Sequence, residues 1–96
     1  MNIKQELPIP SSIDGSEKAM EVARIWIADG DQHIVLSPNL WSDPGAWGLM
    51  LVDLAHHVAN AYAEQGHDGS AALSKIREAM NAEWAAPTDS QQKENY

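Results

Sequence analysis

Ninety-six residues with fourteen Asp and Glu against six Lys and Arg make one small acidic domain of formal charge −8, and the lack of any basic run excludes a grip on a phosphate backbone. There is no Cys, which removes disulfides, thiol catalysis and thiolate metal sites, and which places an unstapled chain of this size in the cytoplasm rather than among secreted scaffolds. The stretch MNIKQELPIP has no apolar run and no window reaches the ~18–20 apolar residues of a membrane span, so neither nucleic acid nor membrane is an expected partner.

Residues 1–13 hold Pro8, Pro10 and two Ser with little periodicity and read as a flexible tail; residues 87–96, PTDSQQKENY, read as another. A single domain over 14–86 lies between them. From Ser16 to Asp29 two patterns compete. Ala19, Val22, Ala23, Trp26 and Ile27 fit one face of a helix with Ser16 as N-cap, whereas Val22, Ile25 and Ile27 favour a strand. The dipeptide Asp29-Gly30 decides between them. As a two-residue type I′ turn it pairs Ala28 with Asp31, Ile25 with Ile34 and Ala23 with Leu36. That register collects Ala23, Ile25, Ile27, Ile34 and Leu36 on one face, and a slip of one residue would mix them with Arg24 and His33. A hairpin of about 20–28 and 32–37 is expected, with a possible helical turn before it.

After SPNLWS comes a helix of about 44–65. Asp43 suits its N-cap, Pro44 its first position and Gly66 the left-handed residue past its end. Steps of 100° place Trp47, Met50, Leu51, Leu54, Ala55, Val58, Ala61 and Tyr62 on one broad apolar side, expected to face the core. A second helix of about 70–85 follows the loop GHDG, with Ser70 as N-cap and Leu73, Ile76, Met80 and Trp84 at core spacing. The fold class is therefore α+β: a β-hairpin followed by two antiparallel helices packed on one face of the sheet. The competing arrangement is an all-α three-helix bundle that uses 16–28 as its first helix.

Two side-chain groups invite a functional reading. The long helix carries Asp53, His56, His57, Asn60 and Glu64 in one polar stripe, and Asp53, His57 and Glu64 offer oxygen and nitrogen ligands to a divalent ion. The spacing lacks the HExxH pattern, so a solvated stripe with an Asp53–His57 helix pair is the expectation, and no metal or cofactor is assigned. No catalytic residue is assigned either, since no nucleophile elbow, phosphate loop or nucleophile–His pair is present. The second group is the other face of the hairpin, where Arg24, Trp26, His33 and Val35 combine residues favoured in protein contacts. A two-stranded sheet is marginal alone and has two open edges, so a homodimer through the hairpin is expected.

The segments VARIWIADGDQHIVL, W-x-D-P-x-AWG and LMLVDLAHHVANAYAEQG, over residues 22–66, resemble a family of short bacterial proteins grouped as the domain of unknown function numbered 5076. EAMNAEW near the end of the second helix adds to the likeness. The resemblance implies a bacterial cytosolic protein and no particular activity, substrate, cofactor or catalytic residue. The function expected from the residues is a small acidic assembly or protein-interaction module that self-associates through its hairpin, with another protein as a further partner. The alternatives are a small-molecule or divalent-metal binding protein using the polar stripe, and a small enzyme.

Overall fold

The structure, a computed structural model, describes residues 5–88. Its elements run in the order of two strands, β1 (Ala23–Ala28) and β2 (Asp31–Leu36), and two helices, α1 (Gly45–Glu64) and α2 (Gly69–Ala85). The strands pair antiparallel in the expected register, Ala23 to Leu36, Ile25 to Ile34 and Ala28 to Asp31. Asp29 and Gly30 sit at φ 54° and 81°, as a type I′ turn requires, and its twist matches that of the two strands. Residues 23–28 form a strand, so the three-helix alternative does not hold.

Both ends of α1 are set by local chemistry. Asp43 Oδ1 accepts a hydrogen bond from the Gly45 N–H at 2.8 Å, and Pro44 is already helical at φ −59°, ψ −23°. At the other end Gly66 has φ 91°. Its N–H donates to the Ala63 carbonyl at 3.0 Å and the His67 N–H donates to the Tyr62 carbonyl at 3.1 Å, the paired bonds of a Schellman cap. The Tyr62 and His67 rings meet edge to face with centroids 5.9 Å apart, supplying the side-chain contact that accompanies such a cap. The cap of α2 differs from expectation: Asp68, not Ser70, accepts from the N–H groups of Ser70 and Ala71 at 3.0 and 3.2 Å. A charged carboxylate two residues earlier reaches two free donors and suits the positive end of the helix.

The residues ahead of the hairpin also differ. No helical turn forms at Ser16, whose hydroxyl accepts from the Lys18 N–H at 3.4 Å. Instead one 3-10 turn forms at Ser11–Ile13, inside the expected tail. Past α2 the Thr88 N–H donates to the Glu83 carboxylate at 2.9 Å; the rest of the expected carboxy-terminal tail lies outside the described residues.

The two helices meet through small residues. A Cβ on Gly69 would lie 3.1 Å from the Ala63 Cβ and 3.4 Å from the Ala59 carbonyl oxygen. Strand pairs with strand and helix packs on helix, and among the described residues no Cα of either helix comes within 8 Å of a strand. The fold is α+β as expected, a hairpin followed by two helices, with the apolar faces of both pairs left largely open. Ala59, 4% exposed, is the one buried residue among those described, whereas Ile25 is 55%, Ile27 71% and Leu54 47% exposed. Leu51, Val58 and Tyr62 of the broad face of α1 are open too. Along α2 the apolar stripe begins half-buried at Leu73 and Ile76 and ends in the open at Met80 and at Trp84, which is 84% exposed.

The scale of this exposure decides how the fold is held. Full burial of an Ile, Leu or Val gains about 1.5–3 kcal/mol, so the open aliphatic side chains of the hairpin and α1 forgo on the order of 10 kcal/mol. That is as large as the whole stability of a typical small domain, about 5–15 kcal/mol. Local capping is the smaller contribution. Asp68→Ala is expected to lower stability by about 1 kcal/mol in urea unfolding at fixed protein concentration, with the helix content before unfolding unchanged.

Candidate interaction surface

The hairpin register sorts its side chains onto two faces. Ala23, Ile25, Ile27, Gln32, Ile34 and Leu36 form one, without a charge; Arg24, Trp26, His33 and Val35 lie on the other. Pairing places Trp26 directly opposite His33, and both are half-buried. Val35 remains exposed. The Arg24 guanidinium donates to the Glu21 carboxylate at 2.6 Å in an exposed pair. That bond, with the attraction of the Glu21 charge, raises the Arg24 pKa still further, but an exposed pair of this kind adds little to stability. Both faces are thus partly open: Ile25 and Ile27 are exposed on the one expected to lie on the helices, and Arg24 and Val35 on the one expected to meet a partner.

Beside this second face the chain shapes two open hollows. One of about 260 Å³ is lined by Glu21, Val22, Arg24, Val35, Leu36 and Ser37 among others. The other, of about 680 Å³, lies along the segment before β1 and is lined by Leu7, Ile9, Ile13, Met20 and Arg24 among others. Leu7, Ile9 and Met20 are themselves exposed. Sequence reading passed over this segment because its apolar residues alternate with Pro and follow neither a helical nor a long strand period.

The broad apolar side of α1 is also open. It carries Leu51, Leu54, Val58 and Tyr62, all exposed, and no charged residue. The charges of α1 keep to the opposite stripe. There Asp53, His56, His57, Asn60 and Glu64 are all exposed. The His56 Nδ1 lies 2.9 Å from the Val52 carbonyl oxygen one turn back, a contact that commits one ring nitrogen to the helix backbone. No ion pair joins Asp53 to His57 among the described residues, contrary to the expected helix pair. Asp53, His57 and Glu64 share the stripe but gain no further ligand from another element: no group of three His, Asp or Glu is placed to hold a metal ion among the described residues. No helix among them is long and apolar enough to cross a membrane.

A sequence model described as a domain of unknown function, DUF5076, matches residues 6–88. The chain belongs to the DUF5076 family. A solved structure described as that of "a putative pyruvate dehydrogenase from the photosynthetic bacterium Rhodopseudomonas palustrus CGA009" is 36% identical, covers 100% of this chain and 99% of its own, and superposes with a TM-score of 0.77. No curated protein matches. The DUF5076 match spans the hairpin and both helices together, so the open faces belong to the part that defines the family.

With the stripe of α1 exposed and one His56 nitrogen engaged, zinc, manganese or nickel is expected to leave the melting temperature unchanged. A bound ion at a hundred times its dissociation constant would add about 2.7 kcal/mol, several degrees for a domain of this size. A melt with and without each metal, for the wild type and for Asp53→Asn with His57→Ala, reads the difference.

Proposed function

We propose that this chain is a small assembly module whose working form is a homodimer, with the hairpin in the contact. One observation carries the reading: Ala59 is the only buried residue among those described, although the chain has the alternating and helical apolar patterns of a layered domain. A patterned apolar face is stable in water only when another layer covers it. Among the described residues, no element covers Ile25 and Ile27 of the hairpin or Leu51, Leu54 and Val58 of α1, which stay exposed.

The area supports a second copy as the cover. Ile25, Ile27 and Val35 of the hairpin and Leu49, Leu51, Val52, Leu54 and Val58 of α1 are each 39–72% exposed, and covering such faces on two copies is what obligate dimers do over about 2,000–5,000 Å². The similar solved chain has almost nothing outside the region that aligns with this one, so it brings no added domain to cover the faces. The charge of −8 opposes association, but the Ile25–Ile34 face and the broad side of α1 carry none of it themselves. The absence of Cys supports a reducing compartment such as the cytoplasm. The activity in the name of the similar structure remains a statement about that protein, as no arrangement of the described residues argues for it here.

Mutation at Ile27 tests the reading. At 71% exposure, Ile27→Asp on a monomer is a surface change worth less than about 0.5 kcal/mol. In a dimer that buries Ile27 the same change places an unpaired charge in an apolar contact, and the dimer should fail. Sedimentation of the wild type at tens of micromolar is expected to give twice the chain mass, with a melting temperature that rises with protein concentration. Ile27→Asp is expected to give monomer with much of its cooperative unfolding lost. A wild type of monomer mass whose melting is independent of concentration would reject the proposal.

A further inference from the structure

Resting on the homodimer reading, we infer that the two copies exchange their hairpins. The uncharged face of one hairpin, Ile25, Ile27, Ile34 and Leu36, covers the broad side of the partner's α1, and the partner's hairpin does the same in return. The starting point is that both halves of a helix-on-sheet layer are present in one chain and stand apart. Each is the complement the other lacks. The hairpin face is aliphatic apart from Gln32 at its turn end, the α1 side is broad and apolar, and neither has a charge to leave unpaired.

The connector explains why the chain does not close on itself. The β2 end of the ladder is extended by the Ser37 N–H donating to the Val22 carbonyl at 3.0 Å, and α1 begins at the Asp43 cap. Between these two ties are only five residues, 38–42. Pro38 fixes one backbone angle and Pro44 another, and the Trp41 ring stands edge-on to Trp47 in the first turn of α1, centroids 5.0 Å apart at 75°. The connector is thus tied at both ends, and no Cα of the helix that follows comes within 8 Å of the strands. A short, stiff connection between two elements that would otherwise pack together favours packing with another copy.

Symmetry favours exchange over like-on-like contact. A two-fold operation that places one hairpin on the partner's α1 places the second hairpin on the first α1 at the same time, so one operation covers four open faces and closes the assembly. A sheet made by joining two hairpins edge to edge pairs the free N–H and C=O rows, but it leaves the Ile face and the α1 side open.

The absence of native Cys makes single introduced thiols specific. Two differently tagged chains, one Ile25→Cys and one Leu54→Cys, are co-expressed, purified as the mixed dimer and treated with a short bis-maleimide. Exchange predicts a covalent product containing both tags as the main species, and the double variant Ile25→Cys with Leu54→Cys should run as a covalent dimer. If the dimer mass persists but only like positions join, or if the double variant closes within one chain, exchange is overturned and self-association stands. If the wild type itself sediments as a monomer, the underlying reading fails and exchange with it. Circular dichroism checks that each variant folds, and Ile27→Cys with Val58→Cys gives an independent second pair should the first lose its helix content; the same products are expected from it.

Discussion

An apolar sheet face and an apolar helix face both need a covering layer, and in the proposed dimer the five residues between β2 and α1 govern where that layer comes from. The Ser37 bond to Val22, the Asp43 cap and the Trp41–Trp47 contact fix the direction of the chain as it leaves the sheet. Each is a modest interaction alone, worth roughly 0.5–1.5 kcal/mol for a hydrogen bond or an aromatic pair. Together they orient two faces whose burial is worth several times more. Weak local contacts therefore set the geometry, and the hydrophobic effect acts on whatever geometry they leave.

This division explains which features were legible in the sequence. The hairpin register was legible because Asp29-Gly30 admits positive φ at both positions and because the apolar residues agree with that register and no other. The bounds of α1 were legible because Asp43, Pro44 and Gly66 each answer a need of a helix end that is local to three or four residues. The cap of α2 was harder, because Asp68 and Ser70 are both good caps two positions apart and the choice depends on where the loop turns. What the pattern could not convey is the owner of the covering layer. Periodicity marks Leu51, Leu54 and Val58 as a face to be covered, and reads the same whether the cover is in the same chain or another. Trp84 illustrates the point most sharply: it falls at core spacing and stands in the open at the end of α2.

The polar stripe of α1 shows the opposite limit. Asp53, His56, His57 and Glu64 are chemically versatile, but versatility becomes a site only when another element brings further groups to bear on them. On one exposed helix face the side chains diverge into water, where an i, i+4 pair is worth only about 0.3–0.5 kcal/mol. The stripe thus faces water on the side of α1 away from its apolar face.

Charge sets how far association can proceed. A two-stranded sheet has two edges, and each presents free backbone groups that could pair with a further copy and start an open polymer. In this hairpin Arg24 lies on β1, and Asp29 and Asp31 mark the turn end. Bringing a third chain to an edge would set one pair of acidic turns against another, with a charge of −8 per chain adding repulsion within a screening length of about 8 Å at physiological salt. The same charge matters less to a contact made through Ile25, Ile27, Ile34 and Leu36, because those residues have no charge to bring close and the area they cover is large. In the proposed dimer, apolar patterning thus favours a closed pair of chains, and the acidic surface opposes growth beyond it.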